Sequence, residues 1–457
     1  MSREATASGG DRNEYVDLLR GASIVAVVVG HWLLTGIQYR AGEFTGVDAI
    51  GYVSWGSWAT LVLQVVPVFF LVGGFANALS WSRRSAAGST WADWLRLRMR
   101  RLLGPTSAYV AVATLCVVVA QAAGVSANNL YQAGWALAFQ LWFLAAYAAL
   151  LVATPVLYAA HRRWGAAVPV VMGVVAVLIS AVVIQWRWHL IGWANYVLVW
   201  GVFHQVGFAW HDGRFAGRRA RAAALFVGAV LALAALIGWA GFPVSMVGVP
   251  GARIQNASPP SMALLMFGLA QCGVVLVAEP FAARWLARHP MGRTLARRGA
   301  ALSMPIYLWH MAPVVLVGVI GYPLGWLAQP PLGSKRWWVE HLIWIGVLIV
   351  VLAGVLAILT ASRSVWRRVT TRARASLRVE PVTAATRLDG TLIVAGIVVI
   401  CAALGRLAVG GLAPDGRLDV PGLIAFVVGA VLVGVPWPLR ARLKAARVRL
   451  AGAGGIR

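Results

Sequence analysis

The stretch YVDLLRGASIVAVVVGHWLLTGI, residues 15–37, decides the fold, because it is an apolar run of spanning length that carries ionisable residues. A transmembrane helix needs roughly 20 mainly apolar residues. Arg20 and His31 are eleven positions apart, so at about 3.6 residues per turn they share one helical face, roughly 16 Å apart along the axis. His31 is then expected near the middle of a hydrocarbon core about 30 Å thick, facing the bundle interior or a wet cavity. Asp17 lies on the same side as Arg20 and is predicted to pair with it.

The composition indicates an integral membrane protein. Of the 457 residues, 60% are hydrophobic and only 12% are charged, and the mean hydropathy is +0.76. Soluble domains are usually about 45–50% apolar and about 25% charged. The formal net charge of +26 could suggest a nucleic-acid partner, but the basic residues cluster in short loops between apolar runs, as membrane topology requires. No nucleic-acid partner is therefore expected. The three cysteines lie far apart without disulfide or zinc spacing, so no metal site is predicted.

Apolar runs of spanning length recur along the whole chain and predict twelve transmembrane helices. With the N-terminus in the cytoplasm, 33 of the 40 Lys and Arg residues lie on the cytoplasmic side and seven on the opposite side, as the positive-inside rule expects. Adding or removing one helix would destroy this asymmetry, so both termini are predicted to be cytoplasmic. The first 14 residues are polar, and the first span is expected to be retained rather than cleaved. The predicted spans are residues 16–36, 57–81, 105–124, 136–160, 166–185, 190–210, 221–241, 260–279, 300–321, 338–361, 390–410 and 418–436.

The predicted protein is an all-α, multi-pass protein of the plasma membrane with three segments. Residues 1–361 form a ten-helix transmembrane core, residues 362–389 a basic cytoplasmic linker, and residues 390–457 a transmembrane hairpin with a basic tail. The tail alternates basic and apolar residues, which is typical of a helix lying on anionic membrane lipids. The hairpin carries few polar side chains beyond Arg406, so packing or partner contact is its expected role.

A basic loop, WADWLRLRMRRLLGP at residues 91–105, is predicted at the cytoplasmic entrance of the third span. Arg98 and Arg101 share a helical face in this loop. Their guanidinium groups suit the phosphates of a cytoplasmic donor such as an acyl-coenzyme A. The alternative is an anchor that fixes the topology by contacting lipid headgroups. For this motif taken alone, the anchor is the favoured interpretation.

Other polar residues inside the predicted spans are interpreted individually as packing or helix–helix hydrogen-bonding groups. The same interpretation is favoured for the glycine-rich segment PVFFLVGGF, residues 67–75, although Pro67 could also kink the second span. No metal-ligand cluster, phosphate-binding glycine loop or serine nucleophile motif is evident in the sequence. The polar residues are Gln140, Trp142, His204, Gln205, Gln271, Tyr307 and His310.

Several of these segments resemble the acyltransferase-3 family of membrane proteins. DLLRGASIVAVVVGH resembles the family's first-helix signature, an Arg followed by a His, and PVFFLVGGF resembles its second-helix segment. RMRR resembles its Arg-x-x-Arg pair, carried here by Arg98 and Arg101. LWFLAAYAALLVATP and MPIYLWHMAPV resemble its fourth-helix and late Tyr-Leu-x-His segments, so the resemblance covers about the first 360 residues. Two features depart from the family: the arginines are arranged differently from its commoner pattern, and the C-terminal hairpin replaces a soluble domain that some members carry.

The resemblance implies transfer of an acyl group, commonly acetyl, from a cytoplasmic acyl-coenzyme A to a hydroxyl of a carbohydrate, lipid or secondary metabolite. Acyl-coenzyme A is then a co-substrate, and no tightly bound cofactor is expected. His31 would be the general base, since an ordinary imidazole pKa of about 6.5 suits proton transfer, or else a transient acyl carrier. Arg20 would hold the donor or stabilise developing negative charge, and Asp17 would fix Arg20 in place.

The alternative function is a transporter or flippase for a lipid-linked or small-molecule substrate, because the spans of such proteins also bury isolated polar residues. A proton-coupled transporter usually shows several intramembrane carboxylates or an inverted repeat. Asp17, Glu279 and Glu340 all lie at the ends of predicted spans. Their positions favour the enzyme over the transporter.

Overall fold

The computed structural model describes residues 13–249, 251–375 and 387–434, and this part of the chain is helical apart from one two-stranded hairpin and the connecting loops. The hairpin consists of β1 Thr35–Arg40 and β2 Glu43–Asp48. The helices are α1 Glu14–Leu34, α2 Gly56–Leu63, α3 Val66–Ala86, α4 Trp91–Ala122, α5 Ala127–Ala138, α6 Leu141–Trp164, α7 Ala167–Trp186, α8 His189–Gly192, α9 Asn195–His211, α10 Arg219–Gly238, α11 Met262–Arg288, α12 Pro290–Trp309, α13 Ala312–Gly321, α14 Lys335–Ala375, α15 Arg387–Gly410 and α16 Val420–Gly434.

The protein is an all-α polytopic membrane protein. Among the described residues, nine helical segments are long and apolar enough to cross a membrane, and the bent pair α12–α13 makes a tenth. These ten segments overlap ten of the predicted spans. The remaining two, residues 190–210 and 418–436, contain the shorter helices α9 and α16, of 17 and 15 residues. The count of twelve stays a prediction, as does the cytoplasmic side of the termini, which lie outside the described residues.

The chain folds into two compact units. The described part of the first unit comprises residues 13–38, 46–79, 157–249 and 251–356, and that of the second comprises residues 39–45, 80–156, 357–375 and 387–434. The first unit therefore contains α1, α2 and α7 to α13, whereas the second contains α4, α5, α15 and α16. His31 belongs to the first unit and Arg98 to the second.

Within the second unit, the C-terminal hairpin packs against α5 and α6. The backbone N–H of Leu412 donates to the carbonyl of Gly134 at 3.2 Å, and the thiol of Cys401 lies 3.3 Å from the carbonyl of Ala145. Arg406, which the sequence left isolated, forms a two-pronged ion pair with the buried carboxylate of Asp419, with nitrogen–oxygen distances of 2.8 and 2.9 Å. These contacts support the packing role predicted for the hairpin.

The predicted linker, residues 362–389, is helical in its first half. α14 continues without interruption to Ala375 and is 41 residues long, so it extends past the predicted end of the tenth span at residue 361. Residues 376–386 and the basic C-terminal tail lie outside the described residues. The division of the chain at 361 and 390 stays a prediction.

In the first unit, α1 is held at both ends by side-chain hydrogen bonds. The Asn13 carboxamide oxygen accepts from the backbone N–H groups of Tyr15 and Val16 at 3.0 and 3.1 Å, which caps the otherwise unpaired N-terminus of the helix. Thr35 is extended and its hydroxyl donates to the carbonyl of His31. The helix is unbroken, so Arg20 and His31 share a face as predicted. His31 lies in the last turn of α1, because the chain turns into β1 directly after Leu34.

Two spans of the first unit are broken. The second span is interrupted at Gln64, whose φ and ψ are −80° and 89°. Pro67 does not kink a continuous helix, which the sequence had left as a possibility. It lies in the first turn of α3, where its missing N–H and fixed φ cost nothing. α12 and α13 are bent by 47° at His310 and Met311. Irregular backbone at membrane depth is tolerated where it is buried in protein or lines a cavity. The α12–α13 bend brings His310 against His31 of α1.

Candidate active site

A pair of histidines forms the core of the site. His31 Nδ1 on α1 lies 2.8 Å from Nε2 of His310, at the bend between α12 and α13. The two rings are stacked, with centroids 5.0 Å apart and planes 23° apart. His310 is fully buried, and His31 is partly exposed. The predicted base therefore has a second imidazole as its direct partner, although the sequence interpretation treated His310 as a packing residue.

The hydrogen-bond network assigns the protons of this pair. His310 Nδ1 lies 2.8 Å from the backbone carbonyl of Tyr307, and a carbonyl can only accept, so His310 Nδ1 carries a proton. In a neutral ring, His310 Nε2 then carries a lone pair and accepts the Nδ1–H of His31. The remaining lone pair of His31 lies on Nε2. This atom is the basic position of the site.

Two hydrogen bonds of Trp32, the residue after His31, join α1 to the surrounding helices. The indole N–H of Trp32 donates to the carbonyl of His310 at 2.8 Å. The backbone carbonyl of Trp32 accepts from His341 Nε2 on α14 at 2.9 Å. His341 is 6% exposed and its ring stacks on Trp337 with centroids 4.2 Å apart. α1, the α12–α13 bend and α14 are thus joined around His31.

A close approach of α1 and α12 positions the two histidines. A Cβ added to Gly21 would lie 3.3 Å from Cα of Gly299, so the helices pack backbone against backbone there. Ten residues further along α1 and eleven along α12, His31 meets His310. Because both helices advance together from one contact to the next, they run in the same direction. This agrees with their prediction as the first and ninth spans, both of odd number.

The other predicted residues of α1 differ in burial. Asp17 is 6% exposed, whereas Arg20 is exposed. Their predicted ion pair stays a prediction. The neighbouring Glu14 carboxylate forms an ion pair with Arg297 of α12. This ion pair adds a further connection between the two parallel helices, near the predicted cytoplasmic end of α1.

The predicted donor-binding arginines lie on α4 in the second unit. Arg98 is partly buried, and its Nη2 donates to the hydroxyl of Tyr147 at 3.4 Å. Arg101 is exposed. Arg96, on the same helix, pairs with Asp93 at 3.1 Å. Arg98 and Arg101 therefore remain candidate anion ligands in a different unit from His31.

Sequence reasoning missed the residues that surround His31. The segment MPIYLWHM contains Tyr307 and His310 three positions apart, which was the available signal for the histidine pair. His341 lies in an ordinary apolar run and gave no signal. Within the described ranges, no group of three or more His, Cys, Asp or Glu residues is arranged to hold a metal ion.

The part of the chain that matches a known family coincides with the part that carries the sequence resemblance. A family model described as an acyltransferase domain matches residues 13–360, well over half of the chain. No curated protein and no solved structure matches the chain.

Proposed function

The chain belongs to the acyltransferase-3 family of membrane acyltransferases, and we propose that it transfers an acyl group, with acetyl as the expected one, from cytoplasmic acyl-coenzyme A to a hydroxyl group. The acceptor is a carbohydrate, a lipid or a secondary metabolite. The proposed location is the plasma membrane, in contact with anionic lipids. The observation that supports this chemistry best is the His31–His310 pair, which leaves a basic nitrogen at His31 Nε2.

The proposed reaction is direct transfer. His31 Nε2 takes the proton of the acceptor hydroxyl as its oxygen attacks the thioester carbonyl carbon. The carbon–sulfur bond then breaks, and the leaving thiolate receives that proton from His31, so the products are an ester and free coenzyme A. His310 stabilises the intermediate imidazolium by accepting its Nδ1–H, much as the third member of a catalytic triad does. Transient acylation of His31 at the same Nε2 atom is the alternative route.

Arg20 and Asp17 are proposed to act on the donor. A guanidinium on the same helical face as His31 suits a phosphate or a developing oxyanion, because it can donate two parallel hydrogen bonds. Asp17 is buried and is proposed to orient Arg20. No tightly bound cofactor is required for this reaction, since acyl-coenzyme A is consumed in each cycle.

Arg98 and Arg101 are proposed to bind the donor phosphates, and the double substitution Arg98→Ala with Arg101→Ala tests this. We expect the apparent KM for acyl-coenzyme A to rise roughly tenfold or more, because charge-assisted hydrogen bonds are lost. The KM for the acceptor should change little. The measurement is initial rate in membranes at varied donor and acceptor concentrations. Arg100→Ala, on the same helix and exposed, is the matched control. A rise in the donor KM that is as large in Arg100→Ala as in the double variant would favour a lipid-headgroup anchor.

The proposed function is tested by comparing a strain that lacks the gene with its parent. Ester-linked acyl groups are measured by mass spectrometry on glycans, glycolipids and secreted metabolites. We expect one ester-linked species to disappear on deletion, to return with the wild-type gene and to stay absent with the His31→Ala gene. Unchanged esters, together with redistribution of an unmodified compound across the membrane, would favour the transporter or flippase.

A further inference from the structure

The last turn of α1, which carries His31, is held by a side chain from another helix. The last regular hydrogen bond of α1 joins the backbone N–H of Thr35 to the carbonyl of His31. The carbonyl of Trp32 is therefore the first that needs a donor from outside the helix. Nε2 of His341 on α14 supplies that donor at 2.9 Å. An unpaired carbonyl at membrane depth is costly, so this bond stabilises the position of the last turn.

The ring of His341 is oriented for this donation. A carbonyl can only accept a hydrogen bond, so Nε2 of His341 carries a proton. The ring is buried and stacks on Trp337 and Trp344, with centroids 4.2 and 5.0 Å away. These contacts fix the direction in which the N–H points. The bond to Trp32 persists whether the ring is neutral or protonated, because Nε2 keeps its proton in both forms.

Trp32 also connects this turn to the backbone of His310. Its indole N–H donates to the carbonyl of His310 at 2.8 Å, and the residue is buried. The rings that these two backbones carry must meet closely, since His31 Nδ1 and His310 Nε2 lie 2.8 Å apart. A side-chain hydrogen bond is lost at about 3.6 Å. A shift of about 1 Å in the last turn of α1 is therefore enough to separate the two rings.

We propose that His341 is a positioning residue of the acyltransferase, which acts through the carbonyl of Trp32 to hold His31 within hydrogen-bonding distance of His310. The inference rests on the proposed function and adds to it a residue outside the reacting pair. His341 contacts neither substrate in this role. Its loss should therefore lower kcat and leave both KM values unchanged, whereas loss of a substrate-binding residue would raise the KM for that substrate.

Two substitutions separate the hydrogen bond from the packing of the ring. His341→Gln keeps an N–H donor for the carbonyl of Trp32 and loses the ring, whereas His341→Phe keeps a ring and loses the donor. The full-length protein is assayed in lipid vesicles with labelled acetyl-coenzyme A and the combined polar and lipid extract of the deletion strain. We expect His341→Phe to lower kcat per folded protein roughly tenfold to a hundredfold, and His341→Gln to retain more activity.

The matched control is Trp344→Phe, which changes the stacking on the same ring and retains the donor. Its kcat should stay close to that of the wild type. If packing rather than the hydrogen bond were the contribution of His341, His341→Phe would be the more active of the two His341 variants. His341→Met, which also lacks the donor but adapts its shape to the site, replaces His341→Phe if the latter does not accumulate, with the same expected result.

A double-mutant cycle distinguishes positioning from a general weakening of the bundle. The His341→Phe substitution is repeated in the His310→Leu background, where the contact between the two rings is already lost. We expect it to lower kcat much less in this background than in the wild type, because the two residues act through one contact. A purely structural role would lower kcat by the same factor in both backgrounds.

Hydrogen–deuterium exchange in the same vesicles reports on the last turn of α1 without any assay of activity. We expect the backbone amides of residues 31–36 to exchange faster in His341→Phe than in His341→Gln or the wild type. Unchanged exchange, an unchanged kcat in His341→Phe, a lower kcat in His341→Gln than in His341→Phe, or equal factors in the two backgrounds would each overturn the positioning role. Absence of transfer by the wild-type protein would instead overturn the proposed function, and the positioning role with it.

Discussion

His31→Ala is expected to abolish acyl transfer while the protein remains folded in the membrane. A general base contributes roughly 10²–10⁴-fold in rate, so a cellular assay should detect almost no product. The structural cost is limited: removing the imidazole relieves its own desolvation, while leaving the buried His310 Nε2 without its donor costs about 1–3 kcal/mol. α1 and the α12–α13 bend stay connected through the indole of Trp32 and the carbonyl of His310.

The measurement for His31→Ala is ester formed per unit of membrane-inserted protein. His289→Ala is the matched control, because His289 is exposed between α11 and α12 and plays no part in the site. Normal abundance with wild-type transfer in His31→Ala would make the histidine pair a packing feature. It would also remove the proposed role of Arg20, which rests on sharing a face with an active base.

His310→Leu should lower kcat about 10²-fold or more with little change in either KM. Leucine cannot accept the Nδ1–H of His31, so the ring loses the partner that fixes its tautomer and stabilises its charged form. His310→Gln should retain more activity than His310→Leu, because a carboxamide oxygen can still accept that hydrogen bond. A merely structural His310 would give the opposite order, since the apolar replacement suits a buried site better than the polar one.

The measurement for His310 is the separation of kcat from KM for the two variants in the same vesicles, with the amount of folded protein determined for each. A rise in the donor KM at constant kcat would place His310 in binding rather than in orientation of the base. Equal activity in the leucine variant and the wild type would contradict the proposed role of His310. The base at His31 would then act without a hydrogen bond to the second ring.

The first helix was predictable because its determinants are local. Asn13 caps it, its apolar residues suit a span, and the spacing of Arg20 and His31 follows from helical geometry alone. The His31–His310 contact joins positions 279 residues apart, and one sequence carries no information about which spans become neighbours. The close approach of Gly21 and Gly299, which makes the contact possible, likewise cannot be predicted from the positions of the apolar runs.

The break at Gln64 escaped prediction for a different reason. The apolar run across the second span continues without a polar interruption strong enough to end it, and Pro67 drew attention to a kink at the wrong place. The bonds that stabilise the break come from Met246 and Gln271, which belong to later parts of the chain. When residues from other parts of the chain stabilise the end of a helix, the sequence of that helix gives little indication of where it ends. The position of His31 in the last turn of α1 likewise depends on the hairpin that follows it.

The hydrogen-bonded line from His31 through His310 ends on the carbonyl oxygen of Tyr307. A peptide carbonyl neither releases a proton nor becomes protonated at ordinary pH, so no proton passes beyond the carbonyl of Tyr307. In the proposed reaction, a proton taken up at His31 Nε2 therefore leaves from the same atom, to the departing thiolate. The proposed transfer would then carry no proton from one face of the membrane to the other. It would be driven by the thioester alone and would draw nothing from the electrochemical gradient across the membrane.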